Sequence, residues 1–405
     1  MTLIMTLLVR DEADIIAPML EYHLAAGVDH ILVTDNGSVD GTREILAAYE
    51  LAAPVTVVDD PVQDKNQSAK VTLMARRAAI DFRADWVINA DADEFFVPRD
   101  RGLTLADVFR NMPVELASAT IPVVDMTGRP SPDGLGMTRL VYRDLRASET
   151  LFDRAGLHAH ATHDSIHVGD PNVVVAQGNH YVSLASRGDI PDGLKIESIH
   201  FPWRSFRQFE SKVRNAGRAY MSNPGVQPSP RHHGMRDFRF LRAGVLEESY
   251  IYRHPTTEDL GGDDLPEDTW LLDRLNEIRV SGAAVNPDLL TAAMVLSDVE
   301  YPSSTIAYAQ QIMPAVLAIE SDRTEQAQLA RQHEERIAHL EGELSARDED
   351  QAALEHELEV RQEEARRARQ ELKRIRGRAY YRLASAASRA LRAFVVRLRG
   401  LRRSP

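Results

Sequence analysis

Two carboxylates one residue apart, Asp91 and Asp93, follow the apolar run Trp86-Val87-Ile88, and Glu94-Phe95-Phe96-Val97 comes straight after them. Far upstream, Asp35-Asn36-Gly37-Ser38-Val39-Asp40-Gly41-Thr42 follows a second apolar run, Ile31-Leu32-Val33. Each run reads as a buried parallel strand, so each set of acids stands where a strand gives way to a loop. In open α/β sheets that edge is where ligands bind. Two acidic strand ends there point to a nucleotide diphosphate and a divalent cation. Mg²⁺ or Mn²⁺ prefers oxygen ligands and keeps water. Held by Asp91 and Asp93, it would act as a Lewis acid on a departing diphosphate. In the upstream loop, Gly37 and Gly41 permit close backbone approach, and Asp40 is placed to cap a helix starting near Thr42. Asp35 leaves its strand directly and is the candidate for reading a base edge or ribose. A plain surface loop and a plain strand-turn-helix connection are the competing readings of the two segments.

The elements that must position these residues follow from periodicity. Residues 2 to 9 read as a buried strand, and a helix is expected from about Asp14 to Ala26, closed by Gly27. His30 to Thr34 is the next strand and Thr42 to Tyr49 the next helix. Val55 to Val58 is a third strand. Val71, Ala75, Ala78 and Phe82 fall at helical spacing and predict a helix over Ser68 to Arg83. Trp86 to Asn89 is a fourth strand. This β-α-β-α-β-α-β order implies an α/β fold with a parallel sheet and right-handed crossovers. Short strands are expected at Ala119 to Val124, Val173 to Ala176 and Ile196 to Phe201. A helix is expected over Ser205 to Tyr220 and a loop over 222 to 236. Residues 1 to 300 read as one catalytic unit, with a nucleotide-binding half (1–100) and an acceptor half (101–300).

Beyond it lie a linker (301–323), a charged helical stretch (324–376) and a basic tail (377–405). Ile337, Leu344, Gln351, Leu358, Ala365 and Leu372 fall at heptad position a. Leu340, Arg347, Leu354, Arg361, Ala368 and Ile375 fall at d. Most of these are apolar, which predicts a coiled coil and self-association; a single charged helix held by i,i+4 pairs is the alternative. From Arg378 on there are eight arginines and no acid, so the tail carries +8 and the remainder −21 of the net −13. Leu383, Ala387, Leu391, Phe394, Val395, Leu398 and Leu401 line an apolar face between those arginines. Peripheral contact with an anionic membrane is therefore expected of the tail, against a solvated or disordered tail. Nucleic acid is not expected as a partner, because the acidic body would be repelled.

The motifs carry a family resemblance. Leu8-Val9-Arg10-Asp11-Glu12-Ala13-Asp14, the Thr34 to Thr42 segment and Asn89-Ala90-Asp91-Ala92-Asp93-Glu94-Phe95 resemble, in order and spacing, the nucleotide-binding half of family 2-type glycosyltransferases. Gly178-Asn179-His180-Tyr181 and His200-Phe201-Pro202-Trp203-Arg204-Ser205 resemble the branch in which Asp-x-Asp is followed by Glu-Phe. The resemblance implies a GT-A (Rossmann-like) fold, a UDP- or GDP-linked sugar donor, a glycan or lipid-linked acceptor, a divalent cation and inversion at the anomeric carbon. By position, Glu12 and Asp35 would line the nucleoside pocket, Asp91 would face ribose or metal, and Asp93 would bind the metal. The family's Thr/Glu-Glu-Asp acceptor motif is absent.

An inverting transfer needs a carboxylate to take the acceptor proton. Asp164 and Glu197 are the candidates. His200, and also His180, could ligate the metal or bind diphosphate. Lys70 and Lys65, near the start of the third helix, and Lys195, Arg204 and Arg207 could contact phosphate. His158, His160 and His163 lack a recognised zinc spacing.

Cysteine is absent, which excludes disulfides and thiolate metal sites. The apolar N-terminus lacks a basic n-region and ends at Arg10-Asp11-Glu12, so it reads as a strand. A cytoplasmic enzyme at the inner membrane face is expected. The rivals are a nucleotidyltransferase, whose Gly-rich loop is missing after the first strand, and an inert nucleotide-binding module on a coiled-coil scaffold.

Overall fold

The computed structural model describes residues 1–61, 67–157, 159–221, 232–295 and 298–400. Lys65, His158, Leu401 and residues 222–231 of the expected loop lie outside the described residues. The chain divides into two compact units, Met1–Thr324 and Glu325–Pro405.

The first unit opens with β1 (Leu3–Val9), α1 (Ile16–Ala25), β2 (His30–Asp35), α2 (Thr42–Ala52), β3 (Val55–Asp59), α3 (Gln67–Asp81) and β4 (Trp86–Ala90). These match the sequence periodicity to within a few residues at each end. The four strands are parallel in the order β3-β2-β1-β4. β1 is apolar almost throughout because both faces of a central parallel strand are covered. Ile4 and Leu32 turn to α3, against Val71, Met74, Ala75 and Ala78. Leu3, Met5, Leu7, Trp86 and Ile88 turn the other way, into the main core with α1. Each such fully buried side chain contributes roughly 1.5–3 kcal/mol.

Six further strands and short helices follow. They are β5 (Glu94–Pro98), α4 (Leu105–Asn111), β6 (Ser118–Ile121), β7 (Val123–Thr127), β8 (Tyr142–Arg143), α5 (Ser148–Ala155), β9 (Asp164–Val168) and β10 (Ile196–His200). β9 and β6 extend the first sheet, β9 antiparallel to β4 and β6 antiparallel to β9. A second sheet has the order β5-β10-β7-β8. The single strand expected over 119 to 124 is broken at Pro122, whose missing N–H ends β6 before the chain crosses to the second sheet as β7. Ser198 N donates to the Pro122 carbonyl at 2.9 Å, which ties the two sheets together. Val173 to Ala176 forms only an isolated bridge, Val175 to Val182. Its backbone bonds instead to the flank of α3, through Thr72 and Ser68.

The remaining helices are α6 (Phe206–Met221), α7 (His233–Ala243), α8 (Leu246–Arg253), α9 (Trp270–Ser281), α10 (Pro287–Val295) and α11 (Ser303–Gly400). Residues 237 to 300 belong to the first unit. α9 and α10 pack into the main core beside α1. α6, α7 and α8 form a separate cluster with the first turns of α11, in which Ala309 and Met313 are fully buried. The stretch expected to be a linker is therefore helical and packed, because Ile306, Ala309, Met313 and Val316 make an apolar face that α6–α8 cover. Buried Glu21 on α1 joins distant segments: it accepts from Tyr49 Oη at 2.8 Å, Val285 N at 2.8 Å and Asn286 N at 2.7 Å.

The second unit is the continuation of α11, with nearly every described side chain exposed. Among the described residues no helix is long and apolar enough to cross a membrane.

Candidate functional site

The turn Asp91-Ala92-Asp93 joins β4 of the first sheet directly to β5 of the second. Glu94 closes it, accepting from Asp91 N at 2.9 Å, while Glu94 N donates to Asp91 O at 3.2 Å. The parallel edge therefore presents both acids where the two sheets meet.

Asp93 is buried and held by cations. Lys212 Nζ of α6 donates to its Oδ2 at 2.6 Å and Arg204 Nη1 at 3.1 Å, with His200 Nε2 at 3.8 Å. Burial opposes its ionisation, but Lys212, His200 and Arg204 prevail and hold the carboxyl well below the usual range. Arg204 is wholly buried. Its guanidinium bonds Asp14 at 2.6 and 3.0 Å, Glu12, Asp93 and the Phe201 carbonyl at 3.2 Å. All its donors face protein, so it gathers the acids rather than facing a ligand. Glu12 also lies 3.4 Å from Lys212 Nζ. Burial outweighs both cations there and pushes Glu12 up to about 7.

His200 ends β10. Its Nδ1 donates to Asp125 Oδ1 at 2.7 Å. Burial acts against its charge, yet the bond to Asp125 and the nearby Asp93 raise it to about 9. It thus bridges two acids, Asp125 and Asp93. His160 Nδ1, 3.5 Å from Asp125, completes that side.

Asp91 is the less satisfied member of the pair. Its Oδ1 accepts from Asn179 Nδ2 at 3.1 Å and Gln67 Nε2 at 3.5 Å. Burial and the Asp93 charge push it up to about 6. Asp164, at the start of β9, is fully buried with neither carboxyl oxygen hydrogen-bonded. Burial, with the charges of Asp91 and Asp93, raises it to about 8, the Ser198 hydroxyl working the other way. Glu94 is raised by burial and by the Asp164 and Asp91 charges.

These three carboxyls are hard oxygen donors with unbalanced charge, the chemistry a divalent cation relieves. Among the described residues no three His, Asp or Glu side chains form a complete cage. Mg²⁺ commonly binds through one or two carboxylates plus substrate phosphate, and Asp91, whose side chain meets only the amides of Asn179 and Gln67, fits that requirement. Asp93 and His200, expected as ligands, are turned to Lys212, Arg204 and Asp125.

Asp35 is buried, and its carboxylate accepts from Ser38 N at 3.3 Å and from the Ser38 hydroxyl. That bond folds the loop on itself. Asp40 accepts from Thr42 N at 3.0 Å and Ala13 N at 3.0 Å, which locks the loop to the end of β1. The N-cap itself is Gly41, at φ 106°. Lys70 pairs with Asp60 at 3.0 Å, and Asp60 bonds the carbonyl of Asp35 and the Asn36 amide. Lys70 therefore stands beside the Asp35 loop.

Glu197 is not part of this cluster. Arg143 bonds it at 2.8 Å and Arg101 at 2.6 Å, with Arg99 at 3.8 Å. Burial opposes, but these arginines keep it ionised below its ordinary value. A clamped carboxylate is a poor proton acceptor. His180 Nδ1 lies 4.0 Å from Asp164 Oδ1 and bonds the His163 carbonyl. Lys195 pairs with Asp192, and exposed Arg207 with Asp133. Lys212, Asp14, Asn179 and Asp125 were not singled out from sequence. Lys212 had one available signal: it adjoins the Phe209–Val213 apolar face of α6, eight residues beyond Arg204.

Residues 5–123 match the model of glycosyltransferase family 92. The stretch contains Glu12, Asp35, Asp91 and Asp93; the later site residues lie beyond it. The match supports a glycosyltransferase and does not confirm the family 2 type that the motifs resemble. Among solved structures, the chain is similar to S. aureus TarS 1-349 in complex with UDP, at 12% identity, 81% of this chain, 92% of that chain and a TM-score of 0.29. The same fragment in complex with UDP-GlcNAc gives 11%, 81%, 92% and 0.27. S. aureus TarS itself gives 12%, 59%, 44% and 0.27. Likeness at this level does not establish a shared site. No curated protein matches.

Proposed function

We propose that the chain transfers a sugar, with inversion, from a nucleotide-diphosphate donor to a hydroxyl of a glycan or lipid-linked acceptor. The observation that carries this reading is Asp164: a buried carboxyl with no Lys or Arg beside it, next to Asp91 at the carboxyl edge of a parallel sheet. Its pKa of about 8 lies near the range in which a general base works.

Asp164 would take the acceptor proton as the acceptor oxygen attacks the anomeric carbon. The bond from that carbon to the diphosphate breaks on the opposite face, and its electron pair leaves with the diphosphate. Lys212 Nζ, whose side chain is 40% exposed, and the His200 imidazolium supply positive charge for it. A divalent cation held by Asp91 would add Lewis-acid neutralisation of the same leaving group. Balancing the Asp91 charge would return Asp164 towards ionisation at neutral pH. The Asp35 loop and Lys70 would form the nucleoside side of the site, with Glu12 behind it. The second unit associates as a coiled coil, and the basic tail holds the enzyme at the inner membrane face.

The test is calorimetric titration of UDP, GDP and their common sugar conjugates, with Mn²⁺ and with chelator, into wild type and Asp91→Asn. Binding that needs both the cation and Asp91 is expected. Absence of binding under every condition, from protein shown to be folded, would overturn the reading.

A further inference from the structure

The exposed apolar stripe of α11 leaves its partner open, and the charges flanking that stripe decide it. Ile337, Leu340, Leu344, Leu354, Leu358, Leu372 and Ile375 are all exposed, Leu354 to 67%. Pairs within the helix, such as Arg361 with Glu357 at 3.3 Å and Arg367 with Glu363 at 3.4 Å, stabilise its polar surface. They do nothing for a seam of leucines in water. We propose that residues 336–376 form a parallel, in-register, two-stranded coiled coil with a second copy of this chain.

The heptad that places those residues at a and d puts Arg336, Glu343, Asp350, Glu357, Glu364 and Glu371 at g. It puts Glu341, Asp348, Glu355, Gln362, Arg369 and Arg376 at e. In a parallel pair each g residue meets the e residue five positions on in the other helix. Arg336 then meets Glu341, Glu364 meets Arg369, and Glu371 meets Arg376. Glu357 meets Gln362. Only the middle is acidic on both sides, at Glu343 with Asp348 and Asp350 with Glu355. That surplus surrounds Arg347, and Glu357 and Glu364 flank Arg361; the parallel alignment places both arginines opposite their own copies in the seam, and these acids offset their repulsion.

The antiparallel alignment at full overlap pairs g with g. Glu343 then faces Glu371, Asp350 faces Glu364, Glu357 faces itself and Arg336 faces Arg378. These g contacts are all like-charged; on the e flank Glu341 meets Arg369 and Glu334 meets Arg376, but Glu355 meets itself, so repulsive contacts still outnumber attractive ones and set orientation against this alignment. In the parallel pair, chain continuity brings both +8 tails to one end. This inference stands independently of the reading of the acidic site.

The chain has no cysteine, so single cysteines report orientation without interference. Full-length Leu340→Cys, Leu372→Cys and, as an exposed control off the seam, Ala353→Cys are oxidised mildly, with masses read by sedimentation equilibrium. Each seam variant should cross-link alone to a covalent dimer, about tenfold or more faster than the control, as expected of held neighbours. Cross-linking only in a mixture of Leu340→Cys and Leu372→Cys would show the antiparallel pair and overturn the proposal. A monomeric or higher-order mass at all concentrations would overturn it as well.

Discussion

At the scale of single residues, the site is a contest between carboxylates with cations and carboxylates without. Asp93 has Lys212, Arg204 and His200; Asp164 has none. Asp164→Asn should lower kcat by about 10²–10⁴-fold, the ordinary worth of a general base, while calorimetry still shows nucleotide binding. The same variant should gain thermal stability in alkali. An acid whose folded pKa is raised from 3.8 to about 8 favours folding while protonated, and that stability is lost as pH rises through 8. Asparagine has nothing to lose there. The free enzyme should show a bell in kcat/KM. The rising limb lies near 8 as Asp164 ionises, and the falling limb near 9 as His200 loses its charge. Arg204→Ala should destabilise by about 3–5 kcal/mol in denaturant unfolding, because it strands buried Glu12 and Asp93 and half-buried Asp14. Lysine should not rescue it, having no planar fork. Asp91 and Asp93 were legible in the sequence because both follow an apolar strand directly. Lys212 and Asp14 were not, because one sits on a helix and the other in a loop, and only the tertiary fold brings Lys212 to Asp93 and Asp14 to Arg204.

At the scale of elements, periodicity revealed β1 to β4 and α1 to α3, since parallel strands and amphipathic helices each leave a regular apolar pattern. β9 was hidden because Asp-Ser-Ile-His-Val buries polar groups at positions an apolar search passes over. Yet β9 carries Asp164. The break at Pro122 was equally hidden, because the residues on both sides of it favour strands. The first turn of α10 depends on a remote side chain. Glu21→Ala would leave the N–H groups of Val285 and Asn286 without their acceptor and should cost about 1–3 kcal/mol. Thermal melting read alongside hydrogen exchange at α10 checks it, with protection lost there before β1 if the assignment holds.

At the scale of the molecule, charge is divided along the chain as well as across the fold. The full-length protein should sediment with vesicles of anionic lipid at low salt, each exposed arginine near the surface adding about 1 kcal/mol. Roughly 1 M salt, where the screening length shrinks to about 3 Å, should release it, and neutral vesicles should not capture it. Replacing Arg389, Arg392 and Arg397 by glutamine should weaken capture; unchanged capture would remove the tail from the membrane reading.

The bonds of Glu21 have a consequence in time. Its acceptors are filled by backbone 264 and 265 residues further on. On a ribosome adding about 5–20 residues per second, the newborn N-terminal layers wait roughly 13–50 s for Val285 and Asn286 to emerge. Through that interval a carboxylate made for burial has only Tyr49 to meet it. The nucleotide-binding half is thus built early and finished late, and a chain stalled before residue 285 would hold it open to chaperones.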